Sequence, residues 1–174
     1  LSAIYYGLFA VEFLMPELKK TLAIVGASFG PGLLPRAPGT FGTLPASFIH
    51  YAAVVWAPQE WFHPLMFLAL IVFCLLSLCL APVAVEYWGT SDPKHFTLDE
   101  MGGYFVIPLL APSINLKTDL LLAFFVFRVF DIWKPFPISY IDQKVKGAVG
   151  ILLDDIGAGI YAVVVIFVIS RLFY

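Results

Sequence analysis

Two apolar runs, Leu65 to Val85 and Ile156 to Phe173, are each long enough to cross a bilayer as a helix, and the rest of the chain must be compatible with them. A hydrocarbon core of about 30 Å needs about 20 helical residues. Within it every backbone polar group must be satisfied internally, so a spanning segment of this type is a helix. The runs Leu44 to Trp56, Met101 to Ala111 and Leu120 to Phe130 are shorter. They would extend into their polar flanks, tilt, or sit against other helices. The expected fold is therefore all-α, a polytopic membrane helical bundle with about four to five apolar helices, some short or re-entrant.

Of the 174 residues, 61% are hydrophobic and only 13% charged, more apolar surface than one soluble domain of this length needs to bury. No internal repeat or flexible linker divides the chain, so residues 15–174 read as a single membrane-embedded domain. The apolar residues 1–14 are too short to span and lack the basic flank and small-residue cleavage site of a signal peptide, and that segment is left unassigned. Met15-Pro16-Glu17 has the form of a natural start. A net charge of -2 without a basic, aromatic-interleaved stripe excludes nucleic acid as a partner. Cys74 and Cys79 lie inside the first long run with no partner His or second Cys pair at ligand spacing, and read as apolar filler.

Lysine and arginine near helix ends mark the cytoplasmic side. Lys19, Lys20 and Arg36 precede the first core run, Lys94 follows the second, and Arg128, Lys134, Lys144 and Lys146 bracket the loop before the last. Five crossings place three polar segments on one cytoplasmic face: Phe29 to Thr43, Glu86 to Glu100, and Arg128 to Asp155. The chemistry should sit there.

Each segment has a plain structural reading beside a functional one. Phe29 to Thr43 holds four glycines and three prolines, which suit an irregular backbone aimed at an anion, or a rigid turn into a helix capped by Thr40 or Thr43. Thr97-Leu98-Asp99-Glu100 matches a capping box, in which Glu100 reaches back to the backbone. Against that, Gly102 and Gly103 fall on the face of Asp99 and leave room for a metal, a phosphate or a closely packed helix. Arg128, Asp131 and Lys134 recur every third residue before Pro135, as a salt-bridge ladder or as a metal ligand flanked by phosphate-binding cations. Asp154 and Asp155 enter the last apolar helix with no cation in the following turn, an arrangement more natural for a shared divalent ion than for a helix cap. Oxygen ligands without His or Cys suit Mg²⁺.

In this order the strings Gly-Leu-Leu-Pro-Arg-Ala-Pro-Gly-Thr-Phe-Gly-Thr (32–43), Asp-Glu-x-x-Gly (99–103), Phe-Arg-x-Phe-Asp-x-x-Lys-Pro-x-Pro-Ile (127–138) and Gly-Ala-Val-Gly-Ile-Leu-Leu-Asp-Asp (147–155) resemble the phosphatidylglycerophosphatase A family over about residues 29 to 160. The resemblance implies Mg²⁺-dependent hydrolysis of phosphatidylglycerophosphate to phosphatidylglycerol and inorganic phosphate at the bacterial inner membrane. Its partners would be a phospholipid substrate in the cytoplasmic leaflet and the membrane itself, and a homo-oligomer is compatible with the pattern. Met101, where a branched aliphatic or aromatic residue is common in the family, is a small departure.

As a mechanism, Asp99, Glu100, Asp131, Asp154 and Asp155 are the candidate catalytic and metal-holding residues, and Arg36, Thr40, Arg128 and Lys134 the candidate substrate-binding ones. No Cys-x5-Arg loop and no Asp-x-Asp nucleophile motif is present, and His50, His63 and His95 are not arranged for a phosphohistidine, so direct attack by metal-bound water is expected, with a covalent intermediate on an Asp as the open alternative. The rival is a small membrane transporter or channel with an acidic ion-binding site, which predicts a pseudo-repeat and acids spread across the bilayer. The sequence has neither.

Overall fold

The computed structural model describes residues 16–111 and 116–173, and all regular secondary structure among them is helical. Helix α1 (Pro16–Gly26) leads through a 3-10 turn (Pro31–Leu33) into α2 (Pro38–Trp56), and α3 (Gln59–Trp88) follows. Two short helices come next, α4 (Leu98–Tyr104) and α5 (Val106–Leu110), then α6 (Leu116–Trp133), α7 (Ile138–Lys144) and α8 (Ala148–Phe173). The readings for residues 1–14 lie outside the described residues. Proline and glycine set the breaks: Pro58 precedes α3, left-handed Gly89 (φ 69°) closes it, and α6 ends two residues before Pro135.

At 1.5 Å per residue, the 30 residues of α3 and the 26 of α8 extend about 45 and 39 Å. Both are long and apolar enough to cross a membrane. Their outer faces expose Phe67, Leu68 and Leu75 on α3, and Val164, Phe167 and Val168 on α8. In water that surface would be one large apolar patch, whereas in lipid it is the natural contact, and the protein is a membrane protein.

The shorter runs behave differently from the two long ones. Leu44 to Trp56 lies in the 19-residue α2, which contains Pro45 and buries Ser47 and His50. Leu120 to Phe130 lies in the 18-residue α6. Met101 to Ala111 is not one helix: it is divided between α4 and α5, where Phe105 N–H turns toward both the Met101 and Gly102 carbonyls and Pro108 follows. Of the four to five apolar helices expected, two among the described residues meet the requirement for crossing.

The divided segment sits at the centre of the molecule. Leu98, Met101 and Tyr104 of α4 are fully buried, enclosed by α2, α3 and α8. Phe73 of α3 stacks on Phe105 with centroids 5.5 Å apart, and Tyr104 meets Phe127 of α6 edge-on at 6.0 Å. The α4–α8 crossing is close. A Cβ on Gly103 would stand 2.5 Å from the Asp155 carbonyl oxygen, and one on Gly159 would run into the Gly103 carbonyl. Backbone therefore lies against backbone, which only paired small residues permit. The space that Gly102 and Gly103 clear is filled by a packed helix, with Cys74 of α3 against Gly102.

Candidate active site

The three polar segments converge. Residues from 37–40, 91–100 and 128–155 line one cavity of about 630 Å³, and its walls include Asp99, Glu100, Arg128, Asp131, Lys134, Asp154 and Asp155.

Asp99 and Glu100 begin α4, but the capping box does not form. Thr97 is the N-cap residue and makes no side-chain cap bond. Its hydroxyl instead pairs with Ser28 Oγ at 2.7 Å, Ser28 Oγ also donates to the Thr97 carbonyl at 3.1 Å, and Thr97 N–H donates to the Gly26 carbonyl at 2.9 Å. His95 adds a contact between Nδ1 and the Gly32 carbonyl at 2.8 Å. The chain from Gly26 to Gly32 thus clasps the strand of backbone that delivers the acids, and Ser28 and Phe29 take left-handed φ values of 52° and 63° to do so. That loop uses its own N–H groups internally, from Gly32 to Ala27, Leu33 to Gly30 and Leu34 to Pro31, so it is a clasp and not an anion cradle.

Freed from capping, Glu100 turns toward α2 and α6. Its Oε2 accepts from Thr43 Oγ1 at 2.9 Å and lies 2.7 Å from Arg128 Nη1, which also stands 2.5 Å from Asp131 Oδ2 and 3.3 Å from Thr43 Oγ1. Gly39 permits this packing, because a Cβ there would collide with the Glu100 carboxylate and the Arg128 guanidinium. Burial pushes the Glu100 carboxyl up to about 7, while Arg128 pulls it down and Asp131 adds to the rise. Burial likewise raises Asp99, with Glu100 as the next cause.

Lys134 is the second cation. It lies just past the end of α6 with a left-handed φ of 45°, its N–H bonded to the Phe130 carbonyl at 2.8 Å. Nζ contacts Asp142 Oδ1 at 2.8 Å and also Asp154 Oδ2. Burial works to lower its pKa, but the hydrogen bonds with Asp142 and Asp154 outweigh that and hold it above the usual lysine value. Asp155, 3% exposed, faces Asp131.

Each acid pair therefore has one member held by a cation and one that is not. Asp99 Oδ1 and Asp154 Oδ1 are buried with no hydrogen-bond partner among the described residues, and Arg128 Nε is equally unpartnered. Among those residues no three acidic, His or Cys side chains already stand in a metal-coordinating arrangement, since Arg128 and Lys134 draw Glu100, Asp131 and Asp154 toward themselves. The donor set still fits a hard cation: it is all carboxylate, it has unpartnered oxygens, and the walls carry seven carboxylates against four cations.

Thr40 lines the cavity as expected, whereas exposed Arg36 is not one of its walls. Sequence reasoning missed two contributors. Thr43, considered only as a cap, bridges Glu100 and Arg128; its position four residues after Gly39 on the same helical face was the available signal. Asp142, which holds Lys134, gave none.

A family profile for phosphatidylglycerophosphatase A matches residues 24–170. A phosphatidylglycerophosphatase A of Haemophilus influenzae is 36% identical over 155 residues, covering 88% of this chain and 91% of that protein. One of Escherichia coli, with the same name, is 32% identical over 152 residues, 85% and 83% of the two chains. A Bacteroides thetaiotaomicron protein named "Putative phosphatidylinositol-3-phosphatase" is 36% identical over 148 residues, 82% of this chain and 89% of that one. No solved structure matches this chain. The matched residues take in the clasp, all three polar segments and both long apolar helices, and the chain belongs to the phosphatidylglycerophosphatase A family of phosphatases.

Proposed function

We propose that this protein is a Mg²⁺-dependent lipid phosphatase of the bacterial inner membrane that hydrolyses phosphatidylglycerophosphate to phosphatidylglycerol and inorganic phosphate. The observation that carries the reading is the charge of the cavity: seven carboxylates face four cations, and buried oxygens of Asp99 and Asp154 have no partner. A phosphate monoester dianion gains little from a wall so rich in carboxyl groups unless divalent cations enter with it, and their charge would also hold the buried carboxyls in the ionised form. Asp99, Asp154 and Asp155, with Asp131 and Glu100, would hold Mg²⁺. When bound, the ion supplies charge neutralisation and polarises the phosphoryl oxygens.

The chain's own groups do the rest. Arg128, whose buried Nε is without a partner among the described residues, and Lys134 would hold the phosphoryl oxygens. The first turn of α2, whose Gly39 and Thr40 line the cavity, offers N–H groups that have no acceptor within the helix. Thr43 keeps Glu100 and Arg128 in register. Water attacks phosphorus opposite the glycerol oxygen, the bond to that oxygen breaks, and a carboxylate of the cluster takes one proton from the water and passes it to the leaving alkoxide.

The topology belongs to the same proposal: a multi-pass chain with the cavity at the cytoplasmic face, drawing lipid from that leaflet. It is supported by the convergence of the lysine- and arginine-bearing segments on one cavity. A transporter is disfavoured because the acids gather in that one cavity instead of lining a path.

The test is phosphate release by the purified protein in detergent. Phosphatidylglycerophosphate should be hydrolysed, EDTA should stop the reaction and added Mg²⁺ should restore it. Release that ignores EDTA would remove the metal from the mechanism. Release from phosphatidylinositol 3-phosphate alone would move the substrate to that of the Bacteroides relative's name.

A further inference from the structure

Two more lysines line the cavity without joining the carboxylate cluster, Lys94 and Lys146, and both are exposed. Each stands on a fixed turn. Lys94 follows the buried Pro93, whose carbonyl accepts from Phe96 N–H at 2.8 Å. Lys146 lies between α7 and α8, where left-handed Gly147 (φ 76°) turns the chain and a Cβ on Gly150 would run into the Val145 carbonyl, so the loop is pressed onto the first turn of α8.

Their partners set them apart from the inner cations. Arg128 and Lys134 are each engaged by two carboxylates. Among the described residues Lys146 donates only to the Asp142 carbonyl, at 3.3 Å, and Lys94 has no hydrogen bond or ion pair. Besides Asp142, which Lys134 occupies, the one exposed acid among the described residues lining the cavity is Asp92.

A substrate of the class proposed above carries two phosphates: the terminal monoester that is cleaved and the diester that remains in the product. We propose that Lys94 and Lys146 form an outer anion subsite that holds the retained phosphodiester while Arg128 and Lys134 hold the phosphoryl group being transferred. This rests on the lipid phosphatase reading. It makes the two lysines specificity determinants, selecting lipids with two phosphates over lipids with one.

The experiment compares Lys94→Gln and Lys146→Gln with the unaltered protein in neutral detergent micelles, using phosphatidylglycerophosphate and the single-phosphate lipid phosphatidic acid. Each variant should lower the preference for the two-phosphate lipid about five-fold, chiefly through KM, and weaken product inhibition by phosphatidylglycerol by a similar factor. Lys94→Arg and Lys146→Arg should restore both. Equal losses on the two lipids, or none, overturn the subsite while leaving the phosphatase reading in place. If the unaltered protein cleaves neither lipid, that reading falls and the subsite falls with it. Neutral micelles separate recognition of the substrate's diester from attraction to a charged bilayer, and an effect seen only on anionic vesicles would also overturn the proposal.

Discussion

The two acid pairs look alike in sequence and differ in what supports them. Asp99-Glu100 opens a seven-residue helix enclosed by protein, whereas Asp154-Asp155 lies one to two turns inside a 26-residue helix that continues into the apolar layer. In each pair a cation from the α6 end takes one member: Arg128 holds Glu100, and Lys134 holds Asp154. Asp99 and Asp155 have no such cation directly bound, and the α4–α8 crossing sets them side by side. A carboxylate already paired with a fixed cation serves best to orient that cation, and one without such a partner is better placed to meet a metal.

That division can be broken experimentally, and its sharpest consequence concerns the unpaired members. Under the proposed mechanism Asp99→Asn and Asp155→Asn should each reduce Mg²⁺-dependent phosphate release at least about 100-fold while the protein still elutes as a folded species in detergent, because each would remove a hard ligand without emptying space. Full activity in both would dismiss them from the mechanism. Arg128→Lys keeps the charge but loses the fork that reaches Glu100, Asp131 and Thr43 together, and activity should drop by roughly 10- to 100-fold. Gly103→Ala tests the crossing itself. Its Cβ has no room against the Asp155 backbone, so thermal stability in detergent should fall by about 1–3 kcal/mol, with activity falling alongside as the acid pairs separate. The smallest effect is expected of Thr43→Val, which removes one bridging hydroxyl worth about 1 kcal/mol and should lower kcat several-fold with little change in stability. A Thr43→Ser variant should recover most of it.

What the sequence made legible follows from the range of the interactions involved. Hydropathy located α3 and α8 because membrane insertion depends on the local run of side chains. The acids and cations of the three polar segments were legible too, since charge next to apolar helix is costly and invites a functional reading. The run from Met101 to Ala111 was not, because its two short helices are stabilised by the surrounding α2, α3 and α8 and not by their own length. Thr97 misled for the same reason: its hydroxyl is claimed by Ser28, 69 residues away, which nothing in the local Thr-x-x-Glu pattern reveals. Arg36, beside the Gly-Pro segment, was grouped with the cavity by proximity in sequence, but only residues from Ala37 onward line it.

The contact of Gly103 and Gly159 has a consequence for how such a protein can vary. Main chain rests on main chain there, so the spacing between the two acid pairs is set chiefly by backbone contact. The outward surfaces of α3 and α8 can then be rewritten to suit bilayers of different thickness or fluidity, while the gauge that sets the distance between the acid pairs stays the same.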